Sequence, residues 1–295
     1  MSVITITTDF GHKGPFVAVM KGVILSRFPE AKIVDLVHDI PAQWPPEAGF
    51  WVSRSYRWFP AGSIHLAIVD PGVGTERDIL LVQYDGHTFM APDNGLLGPL
   101  LDNAASARVY RLDTDRLDLP EPSATFHGRD IFAPIAADMA AGHLDIVDVA
   151  TETRDWIPGW VDAPEIGAGR IAGVIVTVDT FGNLISNIEA ALLDGMAEPV
   201  AHIAGHQVPM RRTYGEAQPG EYLALVNSFG VLEIARAEGS AADGLGSARG
   251  APVIIRDGYE TCHGQIGDSD LLKGHCPHCL AGLLSAQRLF LELGP

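Results

Sequence analysis

Cysteine is scarce in this chain: there are three in 295 residues, all beyond position 261. They cannot cross-link the body of the protein, and the number fits a reducing compartment. Basic blocks are also missing. Lys and Arg number 20 against 37 Asp and Glu, a formal net charge of −17, which argues against recognition of nucleic acid through its phosphates. The negative field favours a cationic small molecule instead. No apolar run approaches the roughly 20 residues that span a bilayer, so no membrane partner is expected. The opening "MSVITITTDFGHKG" lacks the basic segment of a signal peptide and enters strand-like alternation directly. These absences lead us to expect a soluble, cytoplasmic protein. With 47% hydrophobic and 19% charged residues, the composition is that of a folded globular chain.

The first half alternates strand-like and helix-like stretches. "VITITT", "AKIVDLV" and "SIHLAIVD" read as strands, with "GPFVAVMKGVILSRF" and "PPEAGFWVSRSYRWF" as helices between them. A hairpin-like pair turns at Asp85-Gly86, and "GRDIFAPIAADMAAG" adds a further helix. The expectation is an α/β fold whose N-terminal domain, residues 1–153, carries a mostly parallel sheet. Ligands collect at the carboxyl ends of the strands in such sheets. Residues 154–170, rich in Pro and Gly, read as a linker. Short β-like runs over 171–257 predict a small all-β barrel domain. Residues 258–295 read as a Cys/His-containing tail with a final amphipathic helix.

Several stretches carry groups capable of chemistry, each with an ordinary alternative. Asp9 in "TTDFG" follows a strand and serves either as a capping carboxylate or as a double acceptor for a vicinal diol. "VDPGVGTER" is either a Pro-Gly turn with a surface ion pair or a device holding Asp70 against Arg77. "TFHGRD" opens a helix, with Asp130 favoured in its first turn by the helix dipole. "VDTFGNLISN" and "NSFGVLEI" fit strand–turn units equally well. None of these is specific singly.

Jointly they are. "TDFG…VMKGVI", "VDLVHDIP", "VDPGVGTER", "APDNGLL", "TFHGRDIFAPIAADMA", "DTFGNLISNI" and "NSFGVLEIA", in this order over residues 3–256, closely resemble the S-adenosyl-L-methionine (SAM) hydroxide adenosyltransferases. These adenosine-forming SAM hydrolases are related to the enzymes that make fluoro- and chloro-deoxyadenosine. The resemblance implies attack of a water-derived nucleophile on ribose C5′, with methionine leaving. It maps the water-handling set onto Asp70, Arg77 and His127, with the proton assignments within the set open. It assigns the ribose hydroxyls to Asp9, with Trp44 capping nearby, and the methionine ammonium to Asp179. Asn183 would add polar contacts, Phe181 and Tyr214 would stack on adenine, and Ser228 would hold the methionine carboxylate. Phe229 stands where the fluorinating relatives have arginine, so this chain departs from the pattern at that carboxylate. Tyrosine replaces both Asp70 and His127 in the halogenating relatives, and the fluorinating ones have serine at Gly128, so the carboxylate here favours hydroxide over halide. The family uses no cofactor and assembles as trimers with sites between subunits, which implies a homotrimer here. The competing readings are a SAM-dependent halogenase and a SAM- or adenosine-binding protein without turnover.

The tail holds "ETCHG…KGHCPHCLAG". Cys262, His275, Cys276 and Cys279 have the chemistry of a tetrahedral zinc site, although their spacing matches no common module. Such a zinc would be structural, and the other reading is a reduced terminal extension.

Overall fold

In the computed structural model, residues 3–102, 104–167 and 169–258 are described; the Cys/His cluster of the tail lies outside them. The chain forms two compact units, Met1–Asp162 and Ala163–Pro295.

The first unit is built on a seven-stranded sheet. Its strands are β1 (Val3–Thr8), β2 (Lys32–Val37), β3 (Ile64–Ile68), β4 (Ile79–Tyr84), β5 (His87–Pro92), β6 (Arg108–Leu112) and β7 (Ala150–Glu152), ordered β2-β1-β3-β5-β4-β6-β7. Period-2 patterning sends alternate side chains to opposite faces. Ile4, Ile6, Ile64, Leu66 and Ile68 pack on one side with Met20 and Ile24 of α1 (Phe16–Arg27) and Ile135 of α4 (Ala133–Ala140). Ala67, Val69, Leu80 and Val82 face α2 (Pro45–Ser55) and α3 (Gly98–Leu101) on the other. A short α5 (Ile146–Val149) leads into β7.

The sheet is mixed, which corrects the expectation of a mostly parallel one. Strands β2, β1, β3 and β5 run parallel, whereas β4 pairs antiparallel with β5 and β6, and β6 antiparallel with β7. The cause is local. Asp85 (φ 51°) and Gly86 (φ 77°) both occupy the left-handed region, the geometry of a two-residue hairpin turn matched to strand twist. Such a turn joins antiparallel strands only. The parallel half still leaves the carboxyl ends of β1 and β3 side by side, since Thr8 is in register with Ile68.

The second unit contains β8 (Glu165–Gly167), β9 (Arg170–Val178), β10 (Leu184–Glu189), β11 (Pro199–Ile203), β12 (His206–Pro209), β13 (Tyr222–Val226), β14 (Val231–Arg236) and β15 (Pro252–Asp257), with a short α6 (Ala241–Leu245). The order is β12-β11-β15-β9-β10-β14-β13, with β8 paired to β9. A bridge from Met210 to Ala224 brings the two ends of that order together, so the sheet is nearly closed into a barrel. Its interior holds Ile171, Ile175, Leu184, Ala201, Leu232 and Val253. Among the described residues no helix is long and apolar enough to cross a membrane.

One polar chain runs through the first core. The side chains of Thr5 and His65 meet at 2.8 Å, and His65 meets His87 at 3.1 Å. The His65 ring stacks on Phe89 at 4.9 Å. Burial pulls the pKa of His65 from 6.5 down to about 3, with the neighbouring His87 adding to the shift. A histidine held neutral in the folded state binds fewer protons than in the unfolded chain. Its contribution to stability is therefore present above pH 6.5 and is lost as pH falls from 6.5 towards 3. Denaturant unfolding should show that loss, at most about 4 kcal/mol by pH 3, and His65→Gln should remove much of the slope. An unchanged acid slope in His65→Gln would assign the loss to other groups.

Candidate active site

Strand β3 ends at Ile68, and the chain then turns through Pro71 and Gly72 so that Arg77 folds back on Asp70. The Arg77 Nε donates to both carboxylate oxygens of Asp70, at 3.0 and 2.9 Å, and Nη2 donates to Oδ2 as well. The pair is withdrawn from solvent, with side-chain exposures of 11% for Arg77 and 5% for Asp70. It is thus no surface ion pair of negligible value; charge-assisted, two-armed pairing of this kind fixes geometry as well as charge. Phe132 lies under the guanidinium, its ring centre 5.9 Å from the central carbon. The loop approaches the segment before His127 closely. Gly74 has φ +78°, and a Cβ there would lie 2.1 Å from the carbonyl oxygen of Ala124, so only glycine fits.

The third member arrives from that neighbouring segment. His127 is buried and precedes a wide, π-type turn over Gly128–Phe132 that continues into α4. Its Nδ1 lies 2.9 Å from Arg77 Nη2. An arginine can only donate, so Nδ1 must be the acceptor, and the ring proton sits on Nε2. His127 is therefore a neutral imidazole that offers an N–H to whatever occupies the site. Its pKa lies below the usual 6.5, first because of burial and second because of Arg77; Asp70 and Asp130 oppose the shift.

Asp9 and Trp44 are brought together through an intermediary that the sequence did not single out. Gln43, held at φ 62°, donates its backbone N–H to Asp9 Oδ2 at 2.9 Å, and Trp44 follows it directly. A bulky residue in the left-handed region carries strain, a feature that recurs at binding sites. Aromatic contacts tie the Asp9 loop to the His127 segment: Phe10 packs edge-on against Phe126 at 5.9 Å, and Phe16 against Phe126 at 5.5 Å. A second support is His38, whose ring meets Thr8 Oγ1 at 2.8 Å and Asp35 Oδ1 at 3.0 Å.

The remaining candidates belong to the second unit. Asp179 follows β9 directly and organises the turn into β10. It accepts from the backbone N–H groups of Phe181 and Asn183, both at 2.9 Å, and from the side-chain amide of Asn183, also at 2.9 Å. Phe181 projects into solvent at 78% exposure, while Asn183 is buried. Tyr214, half exposed, donates its hydroxyl to Glu233 Oε1 at 2.7 Å. Asn227 donates to the other oxygen of Glu233 at 3.1 Å and accepts from Phe229 N–H at 3.0 Å. Ser228, between these two, is exposed. Glu233 is a buried carboxyl. Burial raises its pKa, Asp179 adds to the rise, and the bonds from Tyr214 and Asn227 oppose it. The hydroxyl of Tyr214 is pushed well above its ordinary value, by burial first and then by Glu233. Glu233 was missed in the sequence; its one signal is a carboxylate inside the apolar run "VLEIA".

Comparison with known proteins accords with these motifs. Residues 4–149 match the model of the SAM hydroxide adenosyltransferase N-terminal domain, and residues 173–254 that of the C-terminal domain. A Thermus thermophilus protein named (R)-S-adenosyl-L-methionine hydrolase is 37% identical over 264 residues, covering 84% of this chain and 97% of that one. A fluorinase from an Actinoplanes species is 27% identical over 277 residues, covering 79% and 90%. A crystal structure of a conserved protein from Thermotoga maritima superposes with a TM-score of 0.79 at 30% identity, covering 86% of this chain and 99% of that one.

The bonding of His127 can be read directly in solution. Nitrogen NMR should find Nε2 protonated and Nδ1 bare at neutral pH, with a titration midpoint below 6.5. Arg77→Gln should raise that midpoint by removing the neighbouring cation. A midpoint at or above 6.5 in the unaltered protein would contradict the arrangement.

Proposed function

This chain belongs to the SAM hydroxide adenosyltransferase family, and from that premise we propose that it hydrolyses S-adenosyl-L-methionine to adenosine and L-methionine. The observation that carries the reading is the buried trio of Asp70, Arg77 and His127 at the mouth of β3. Hydrolysis of a sulfonium asks little of a protein beyond such a trio. When the C5′–S bond breaks, its electron pair returns to sulfur and methionine leaves as a neutral thioether. No general acid is needed for that departure. The demand falls on the incoming water, which must lose a proton, shed its solvent shell and approach opposite the sulfur.

The roles divide by chemistry. Arg77 supplies fixed positive charge beside the oxygen that becomes hydroxide-like, in a site with little water to screen it. His127 presents Nε2–H and orients the water by donating to it. The proton goes to Asp70, the anionic acceptor of the trio, whose two oxygens keep lone pairs beyond those Arg77 occupies. Atoms balance: the O–C5′ bond forms, the C5′–S bond breaks, and the water proton passes through Asp70 to solvent. Asp9 accepts the ribose hydroxyls, with Trp44 against the sugar. In the second unit Tyr214 and Phe181 offer faces for adenine, and Asp179, Asn183 and Ser228 polar contacts for the methionine end.

Two observations favour hydrolysis over halogenation. A carboxylate beside the reacting carbon repels a halide. Around Gly128, a Cβ would meet Met20 Sδ at 3.1 Å, Phe126 at 3.4 Å and Phe10 at 3.5 Å, so the place where fluorinating relatives carry serine is lined here by apolar atoms and offers a hydroxyl no polar partner among them. The reading also carries a homotrimer in a reducing cytoplasm. In its favour are the apolar outward face of α1, where Phe16, Val19 and Leu25 are exposed, and the scarcity of cysteine.

Incubation of the purified protein with SAM, with and without excess chloride, should yield adenosine and methionine in both reactions. Chloro-deoxyadenosine would mean halogenation, and unchanged SAM would mean binding alone. Asp70→Ala should cut turnover by about a hundredfold or more while SAM affinity changes far less. A large loss of affinity with turnover intact would remove Asp70 from the reacting set.

A further inference from the structure

The loop that carries Asp70 and Arg77 is gripped at both of its ends by one turn. That turn, Asp93-Asn94-Gly95, follows β5. The side-chain amide of Asn94 donates to the carbonyl of Val69 at 2.9 Å, one residue before Asp70. The backbone N–H of Asp93 donates to the carbonyl of Asp78 at 2.9 Å, one residue after Arg77. The other face of the Asn94 side chain is used within the turn, where Oδ1 accepts from Leu96 N–H at 3.2 Å. The nitrogen and the oxygen of the Asn94 amide thus each have a backbone partner.

The first part of the segment read from sequence as a linker is seated on this same turn. Ile157 donates its backbone N–H to Asp93 Oδ1 at 2.9 Å, and the indole N–H of Trp160 donates to the Asn94 carbonyl at 2.7 Å. The seat is built for close approach, because a Cβ on Gly98 would lie 2.3 Å from the Cα of Gly159. The Trp160 ring also packs edge-on against Trp44 at 5.9 Å. All of these residues lie in the first unit.

We propose that Asn94 is a positioning residue for Asp70 and Arg77, and that Trp160, docked on the Asn94 carbonyl, holds the turn in the conformation that makes it so. The proposal rests on the hydrolase reading for its consequence, and on the hydrogen bonds alone for its geometry. The mechanism follows from how strands end. Val69 has left the ladder of β3, so its carbonyl needs a partner. Asn94 supplies one, and thereby sets the direction in which the chain departs towards Asp70. Without that donor the loop can tilt, and displacement by about 1 Å is enough to cost a reaction orders of magnitude in rate while leaving binding groups elsewhere untouched.

The test uses Asn94→Asp, which keeps an oxygen for Leu96 N–H but replaces the donor facing Val69 with an acceptor. Expected is a fall in kcat of about tenfold or more with KM for SAM within about threefold of the unaltered enzyme. The Arg77 Nε–H resonance, protected by Asp70 in the unaltered protein, should exchange faster with water. Trp160→Phe, which retains an aromatic ring near Trp44 and loses the indole N–H together with its five-membered ring, should move both readouts in the same direction by a smaller amount. It also keeps the proposal testable if Asn94→Asp does not fold. Unchanged kcat and an unchanged Arg77 resonance in a folded variant would overturn the inference, as would a KM rise with kcat intact. Failure of the unaltered protein to make adenosine would contradict the hydrolase reading instead, and the Arg77 resonance would still decide whether Asn94 holds the loop.

Discussion

Arg77 is bound on two sides at once, and the chemistry of the first unit depends on that constraint. Its Nε and Nη2 both donate to Asp70, and the same Nη2 also reaches His127. Because a guanidinium donates and never accepts, a single side chain determines the state of both neighbours: Asp70 is an acceptor, and His127 is a neutral ring with its N–H turned away from Arg77. The cluster is withdrawn from water, so these assignments are not blurred by solvent exchange. An exposed version of the same trio would have freely rotating arms and little directional effect.

The fold serves this arrangement through the ends of its strands. Parallel pairing of β1 with β3 brings the Asp9 and Asp70 loops to one edge of the sheet. The antiparallel hairpin of β4 and β5 then returns the chain to that edge and delivers the Asp93-Asn94 turn beside both flanks of the 70–77 loop. The π-type turn after His127 is a second local irregularity with a positional effect, setting His127 against the guanidinium at the start of α4.

Much of this was legible from residues alone, and the boundary has physical reasons. Strand alternation in "VITITT" and "SIHLAIVD" and the hairpin at Asp85-Gly86 were visible because periodicity and turn chemistry are local properties. Strands β6 and β7 were not, since runs of five and three residues are too short to show a period. Asp70, Arg77 and His127 were found through the joint order of the motifs, which resembles one family, since each motif alone fits an ordinary turn or helix start equally well. Asn94, Gln43 and Glu233 escaped for a shared reason. Each acts through a hydrogen bond to a backbone group or to a residue distant in sequence, which leaves no spacing pattern behind. The two units divide inside the segment read as a linker, but the contacts of its first half left no trace in sequence: Pro158 and Gly159 look like punctuation, yet Gly159 allows the close approach that seats Trp160.

A crystal structure of the protein with adenosine and methionine bound bears most directly on whether this trio delivers the nucleophile. The account predicts that the adenosine O5′ lies within about 3.5 Å of the Asp70–Arg77–His127 cluster, with sulfur on the opposite side of C5′. An O5′ that faces away from all three side chains, with another group occupying the position behind the carbon, would contradict it.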